Sequence, residues 1–561
     1  MDNLRLFLWG GFFVLVWLTI NQWSLDYQEP ANTNIDPAQT RSTTTQQNQK
    51  TQSPKSVLGL SDNLPVATID GGPAQNLEET MLASNLVTVK TDVLQLGINP
   101  KKGGDIVQAK LLQYFPSKDE TTAPIELLSF SEDSYQYFQT GLLSTDGFPE
   151  PNHQQAFVEK NKQLELREGQ EQVSTSFAWS ARNERTNIEV VKSYTLKRGR
   201  YDILLTYDVK NLGTQEYSFV LYNQLVRKDK QAERSMFNVE TYSFNGPIIY
   251  DGDSYEKLDI SELAESPKRE THTNGWSSNI QHHFLVAMVP ERNQPYSYSA
   301  NADPENRLYK LATVGQRAVS VPPGAVARIT TTLVVGPKIQ EQLKDVAQGL
   351  ELSVDFGVLA FLSAPLFWIL ERIHRVVQNW GLAIILVTLL IKLLFYPLTE
   401  SSGRSMAKMR KVTPRLKAIQ DRYKDDKQAQ SQAMMELYKK EKVNPMAGCL
   451  PMFIQIPFFI AFYWVLLESV EIRQAPFFLW IQDLSSRDPY FVLPLIMGLG
   501  MFFQQKLNPA PPDPMQAKIM TAMPIMFTAM FAFFPSGLVL YWLTNSLLSI
   551  AQQWKINRAI E

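Results

Sequence analysis

The chain has 561 residues, and its 54 basic and 56 acidic residues leave a formal net charge of −2, a balance that gives no support to DNA binding. The single cysteine, Cys449, excludes an intramolecular disulfide, a zinc cluster of several cysteines and a CxxC redox pair. The sequence contains neither an HExxH pattern nor GxxxxGK[ST], so we expect no metal site, no cofactor and no nucleotide motor.

The N-terminal segment is predicted to cross a membrane. The apolar run Leu4 to Trp23 is about 30 Å long as a helix, enough for one bilayer crossing. Bulky residues follow it where a signal peptidase needs small ones, which favours an uncleaved signal anchor over residues 1–25. Residues 26–57 are rich in Gln, Thr, Asn and Pro and predict a disordered linker.

Residues 58–350 have a different pattern, in which apolar and polar residues alternate over short runs such as "YDILLTYDV". This period of two, with β-branched and aromatic residues between turn signals, is typical of strands. We therefore predict a large antiparallel β-sandwich on the far side of the first span.

The remaining chain is predicted to be helical. Residues 351–378 indicate an amphipathic helix in the membrane interface, although such a helix could instead pack on the sandwich. Five further apolar segments are predicted to span the bilayer: 379–398, 446–467, 489–507, 518–534 and 538–554.

Charge in the connecting loops predicts the orientation. Between Glu400 and Pro445 there are twelve basic and six acidic residues, a net of +6, whereas the loop 468–488 has two basic and four acidic residues. By the positive-inside rule, 399–445 is cytoplasmic and 468–488 is periplasmic. The loop 508–517 and the tail 555–561 are then cytoplasmic, as are both termini, in a multi-pass protein of a bacterial inner membrane.

The cytoplasmic segment 399–445 is predicted to form a helical hairpin. It combines cations with flexible methionines, which suits an adaptable surface for a nascent chain, ribosomal RNA or anionic lipid. A simple solvated hairpin is the alternative. The candidate contact residues are Met406, Met409, Arg410, Lys411, Met434 and Met435.

Polar residues inside the predicted spans form the second candidate site. Lys392 lies near the cytoplasmic end of its span, with Thr388 one turn earlier, and could simply extend its ammonium towards the headgroups. Because an intramembrane cation is costly, a hydrated cavity is the competing interpretation. Other spans supply Gln455, Tyr541, Trp542 and Asn545.

Long stretches resemble the Gram-negative members of the YidC/Oxa/Alb family of membrane-protein insertases. They include "APLFWILERIHRVVQNWG", "EKVNPMAGCLPMFIQIPFFIAFYWVL", "RQAPFFLWIQDLSSRDPYFVLPLIMG" and "FPSGLVLYWLTNSLLSIAQQW". The resemblance implies an α+β membrane protein with six transmembrane helices, a large periplasmic antiparallel β-sandwich and a cytoplasmic helical hairpin.

The resemblance also implies a hydrophilic groove. Lys392 stands where the family normally has arginine, so the charge is kept but the planar fork is lost. Thr388 and Gln455 match the family's groove residues; of its tyrosine pair, Tyr541 matches and Trp542 departs.

The implied function is a membrane protein insertase and chaperone without covalent chemistry, acting alone or with the Sec translocon. Its partners would be nascent membrane proteins and the lipid bilayer. Because no long basic tail follows "KINRAI", ribosome docking is expected to be weak.

Two alternatives remain open. An ion- or proton-coupled transporter could use Lys392, although no intramembrane Asp or Glu is available to pair with it. A membrane-anchored periplasmic carbohydrate enzyme would need a convergent carboxylate or histidine pair in the sandwich.

Overall fold

The computed structural model describes residues 86–118, 120–131, 134–145, 147–159, 163–183, 186–228, 243–305, 307–424, 426–441, 443, 450–507 and 514–560. The predicted signal anchor and linker lie outside these residues. The described chain forms two compact units: residues 408–445 belong to the smaller, and residues 86–407 and 446–560 belong to the larger.

The N-terminal part of the larger unit is built from strands. In chain order they are β1 Val87–Lys90, β2 Leu94–Asn99, β3 Asp105–Leu111, β4 Ile125–Ser131, β5 Ser134–Ser144, β6 Val158–Glu159, β7 Gln163–Glu165, β8 Gln172–Arg182, β9 Asn187–Lys197, β10 Asp202–Asn211, β11 Tyr217–Lys228, β12 Gly246–Tyr250, β13 Tyr255–Lys257, β14 Lys268–Thr273, β15 Trp276–Gln281, β16 Phe284–Pro290, β17 Pro295–Asp303, β18 Leu308–Gly315, β19 Val319–Val321 and β20 Val326–Pro337.

These strands make two sheets. The first has the order β14-β17-β18-β11-β5-β4-β3-β2-β1-β7, with β19 pairing with β11, and the second has the order β13-β12-β15-β16-β20-β10-β9-β8-β6. The predicted β-sheet domain is confirmed. Among the strands that the structure describes, the pairs are antiparallel except that of β1 with β7, which is parallel. This edge departs from the predicted antiparallel sandwich, because β7 returns from a separate loop rather than through a hairpin.

Alternation along the strands places the core between the sheets. In β9 and β10 the buried side chains Val190, Tyr194, Ile203, Leu205 and Tyr207 recur at every second or fourth position. Period-two burial follows from the pleat of a strand, whose successive side chains point to opposite faces.

Helices make up most of the rest of the described chain. They are α1 Ile260–Glu265, α2 Gln340–Val346, α3 Ala360–Val377, α4 Trp380–Leu394, α5 Tyr396–Arg422, α6 Lys427–Lys440, α7 Leu450–Glu468, α8 Val492–Leu507, α9 Pro514–Phe531 and α10 Ser536–Ile560.

Apolar length differs among these helices. In the described part of the chain, the segment Gly357–Val377 is long and apolar enough to cross a bilayer, and so is the pair Trp380–Leu394 and Tyr396–Met409 if this pair, bent by 67°, is counted as one span. The helices Gln455–Glu468, Val492–Leu507 and Lys518–Phe531 are apolar but shorter. The six-span arrangement therefore stays a prediction.

The sandwich contacts the helical part through several polar groups. The imidazoles of His282 and His283 stack at 3.7 Å, and their Nε2 atoms lie 2.8 and 2.9 Å from the carbonyl oxygen of Leu467 in the last turn of α7. The Arg473 guanidinium donates to the carbonyls of Phe115 and Pro116. These contacts hold the sandwich, also called the β-domain below, against the end of α7 and the chain that follows it.

Candidate functional site

The candidate site begins on α4, which is apolar except near its C-terminal end. Asn379 caps its N-terminus by accepting from the Leu382 N–H at 3.0 Å. Lys392 lies in the last turn and is 8% exposed. The helix ends at Leu394, and α5 continues the chain at an angle.

A continuous polar path leads from Lys392 to two other helices. The Lys392 ammonium donates to Ser549 Oγ on α10 at 2.7 Å, and that hydroxyl donates to the Asn545 carbonyl at 2.7 Å. The Asn545 amide in turn lies 3.4 Å from Gln455 Oε1 on α7. The structure thus brings together Lys392, Asn545 and Gln455, three of the residues predicted to line the groove.

Ser549 was missed by the sequence reasoning. It lies four residues after Asn545 on α10 and therefore on the same helical face, which is the signal that could have revealed it.

Thr388, Tyr541 and Trp542 are not on this path. The Thr388 hydroxyl donates to the Ile384 carbonyl of its own helix at 2.7 Å. Tyr541 stacks on Phe462 at 4.8 Å, and Trp542 meets Phe459 edge to face at 4.9 Å. These three side chains are packed among apolar neighbours next to the polar path.

The chemistry available at Lys392 is electrostatic. Within the described ranges, no carboxylate lies at ion-pair distance from its ammonium. An ammonium has three N–H donors, and one donates to Ser549, which leaves capacity for an incoming anion.

The predicted hairpin residues lie on α5 and α6. In the smaller unit, Met409 and Met434 pack against a buried cluster of Val412, Leu416 and Val443. Met435 is 45% exposed, and Lys411 is also exposed. Arg410 and Met406 lie on α5, and Met406 belongs to the larger unit.

A group of ionisable side chains is buried inside the sandwich. Asp105, His153 and Lys192 are at most 3% exposed. Burial raises the pKa of Asp105 to about 8 and lowers the pKa of Lys192 to about 8. Among the described residues, no group of three His, Cys, Asp or Glu side chains could hold a metal ion.

Comparison with known proteins identifies the family. A family model described as "60Kd inner membrane protein" matches residues 372–561, and one described as "YidC periplasmic domain" matches residues 86–369. A relative from Pseudomonas putida (strain W619), named "Membrane protein insertase YidC", is 41% identical over 564 residues, covering 100% of this chain and 99% of the relative. The chain belongs to the YidC family.

Another YidC relative, from Alkalilimnicola ehrlichii, is 47% identical over 476 residues, which cover 85% of this chain and 83% of the relative. A crystal structure described as an active YidC insertase with its first transmembrane domain resolved covers 85% of this chain and 96% of that chain, at 18% identity and a TM-score of 0.37. A galactose mutarotase related enzyme from Lactobacillus acidophilus covers 44% of this chain and 96% of that chain, at 11% identity and a TM-score of 0.31.

Membership of the YidC family confirms the resemblance found in the sequence. It identifies an inner membrane protein with a periplasmic domain, because the two family models are described as an inner membrane protein and a YidC periplasmic domain.

Proposed function

We propose that this protein inserts other proteins into the inner membrane and that Lys392 receives acidic flanks of the arriving segments. Its YidC relatives are named as membrane protein insertases, which supports the function as a whole. The polar path from Lys392 through Ser549 and Asn545 to Gln455 supports the site.

The free-energy barrier that an insertase must lower comes from the polar flank of the substrate and not from its apolar helix. Each Leu, Ile, Phe or Val contributes about −0.3 to −0.6 kcal/mol at a helix centre on entering the bilayer, so an apolar segment needs no fuel. A charged residue costs about 2.5 to 3.5 kcal/mol there. A hydrated groove with a cation shortens the distance that the flank must cross through hydrocarbon, and so lowers the free-energy barrier to its passage.

One observation carries the proposal. Lys392 is buried among apolar helices, yet its hydrogen-bond partner is a neutral hydroxyl. A buried cation is normally balanced by an internal carboxylate, and none of the described residues supplies one at this position. The substrate's carboxylate would complete the pair.

The remaining features follow from the same mechanism. The six spans, the cytoplasmic basic hairpin and the periplasmic sandwich would present the groove to chains arriving from the cytoplasm. The protein would act alone or with the Sec translocon, and exposed hairpin residues such as Met435 and Lys411 would contact the nascent chain.

The test is depletion of the endogenous insertase followed by complementation with Lys392→Arg, Lys392→Ala or Lys392→Glu. We expect Lys392→Arg to support insertion of a small protein with an acidic periplasmic flank, Lys392→Ala to weaken it and Lys392→Glu to abolish it. A tenfold loss of rate corresponds to about 1.4 kcal/mol in the barrier.

The matched control is Lys555→Glu, which reverses a charge at an exposed position of α10. It should leave insertion unchanged. Full activity of Lys392→Glu would overturn the site, and a Lys392-dependent proton or solute flux through purified protein in liposomes would favour a transporter instead.

A further inference from the structure

The chain between α7 and α8, residues 469–491, here called the outer loop, exposes large apolar side chains. Leu479 is 79% exposed, Tyr490 69%, Phe478 52% and Phe491 40%. Four large apolar or aromatic side chains on one loop are more than the scattered exposure that is normal on a soluble surface.

Two of these residues also have an unusual backbone conformation. Leu479 has φ 56° and Phe491 has φ 57°, in the left-handed region that bulky side chains seldom adopt. Asn or Gly would fit this conformation at lower cost. Apolar side chains are therefore held at two positions where the backbone alone would favour other residue types.

The outer loop is held rigidly. The Asp488 carboxylate, 1% exposed, accepts from Trp480 Nε1 at 3.0 Å, from the Tyr490 N–H at 3.0 Å and from the Leu493 N–H at 2.7 Å. Asp488 thus links Trp480 and Tyr490 of the outer loop to the first turn of α8. The exposed side chains are presented on a fixed frame.

The apolar surface continues from the loop onto α8. Leu495, Leu499 and Phe503 are 58%, 59% and 58% exposed and recur every four residues, so they form one stripe along the helix. Phe491 precedes Leu495 by four residues, and its carbonyl accepts from the Leu495 N–H at 3.2 Å. The stripe of α8 therefore extends into the outer loop.

We propose that the outer loop is a lipid anchor that immerses Phe478, Leu479, Tyr490 and Phe491 in the interfacial region of the adjacent bilayer leaflet. Phospholipid is the occupant because this surface is continuous with the apolar stripe of a helix in an inner membrane protein. Aromatic side chains favour this depth, where an apolar ring and a polar group such as the Tyr490 hydroxyl are both satisfied.

The anchor would fix the height of α7 and α8 in the membrane. Because Asp488 joins the loop to α8 and Ser536 Oγ of α10 donates to the Asp483 and Ser486 carbonyls of the loop, lipid contact would be transmitted to the helix that bears Ser549 and Asn545. The inference rests on the proposed function only in placing α7 and α8 in the bilayer, and it does not depend on Lys392.

Fluorescence quenching tests the proposal on the full chain. In a Cys449→Ala background, Phe478→Cys and Tyr490→Cys are labelled with an environment-sensitive dye and reconstituted into phosphatidylethanolamine and phosphatidylglycerol vesicles. We expect strong quenching by lipids brominated near the headgroup and severalfold protection from aqueous iodide. Glu168→Cys, at an exposed turn of the β-domain, is the matched control and should show the opposite pattern.

A second variant separates anchoring from folding. Leu479→Asn combined with Phe491→Asn suits the left-handed backbone and removes the apolar side chains, so its melting temperature should not fall. The dye at position 490 should then lose lipid quenching and gain iodide quenching. The proposal is overturned if the dyes at 478 and 490 are as accessible to iodide as the dye at 168. That result is expected if a partner protein, which the vesicles lack, covers this surface in the cell. Insertion activity is not the readout, so failure of the Lys392 site would leave this result unaffected.

Discussion

Ser549 is the residue that orients Lys392. A flexible lysine in an apolar setting can extend towards the headgroups, and the hydrogen bond to Ser549 Oγ holds it towards α10 instead. The distinction between a lysine that extends to the membrane surface and one that serves a groove therefore depends on a hydroxyl on another helix.

Ser549→Ala should reduce insertion of an acidic-flank substrate severalfold and destabilise the protein by about 1 to 3 kcal/mol, because a buried charged donor loses its partner. Ser549→Thr keeps the hydroxyl and should retain activity. The control Ser546→Ala removes another buried hydroxyl from α10. Insertion rates in membrane vesicles provide the comparison, and wild-type rates for Ser549→Ala would remove this residue from the site.

The close packing of α8 against α9 depends on Gly498. A Cβ at Gly498 would lie 2.0 Å from Thr528 Oγ1 on α9, whereas at Gly500 the nearest atom would be 3.9 Å away. Gly498→Ala should lower the free energy of unfolding by about 1 to 3 kcal/mol through overpacking.

Gly500→Ala is the matched control in the same helix. It should be neutral or stabilise the protein by up to about 1 kcal/mol, because alanine favours a helix more than glycine does. Thermal unfolding in detergent measures both variants, and equal melting temperatures would show that the contact between α8 and α9 is looser than described.

At the scale of elements, the hairpin is stabilised by its own small core. Leu416 is 3% exposed in the cluster with Val412 and Val443. Leu416→Ala should cost about 2 to 5 kcal/mol. Because residues 408–445 form a separate unit, the loss should appear as faster amide exchange in α6 with the strands unaffected.

Met435→Ala is the control for this experiment, because Met435 is largely exposed and its removal leaves no cavity. Exchange that accelerated equally in the strands after Leu416→Ala would show that the hairpin does not unfold separately.

The contact of the β-domain with α7 should depend on pH. Burial and the nearby cations Lys338 and Arg473 lower the pKa of His282 from 6.5 to about 4, and the pKa of His283 is also lowered, chiefly by burial. The hydrogen bond between His282 and the Leu467 carbonyl opposes this shift without reversing it. Since the undocked histidines bind protons more readily, the contact is fully stable above about pH 6.5 and weakens as pH falls towards 4.

Amide exchange around Leu467, measured between pH 7.5 and 4.5 and corrected for intrinsic rates, should reveal this loss. Replacing His282 and His283 together by Gln keeps side-chain donors and should flatten the profile. A double variant with the same acid sensitivity as the wild type would assign the effect to other groups.

The sequence predicted elements whose signals are local. Period-two burial in β9 and β10 was readable because neighbouring side chains on a strand face opposite sides. The parallel pairing of β1 with β7 was not, because it joins parts of the chain that are distant in sequence. The 67° bend after Leu394 falls next to Pro397, a local signal that the sequence reasoning did not use.

The sequence identified residues of the candidate site by their type but did not predict the hydrogen bonds between them. Lys392, Gln455 and Asn545 were found as polar residues in apolar segments, and the structure joins them. The linking role of Ser549 and the hydrogen bond of Thr388 within its own helix depend on side-chain directions that residue spacing does not specify.

For the whole molecule, we propose that an uncompensated cation among apolar helices of a YidC family member receives the substrate's acidic flank. The most direct measurement is insertion by purified protein in liposomes, comparing wild type, Lys392→Glu and Lys555→Glu on two substrates that differ only in an acidic or neutral flank. We expect Lys392→Glu to lose insertion of the acidic substrate alone, while Lys555→Glu inserts both substrates like the wild type. Equal insertion of both substrates by Lys392→Glu and the wild type would contradict it.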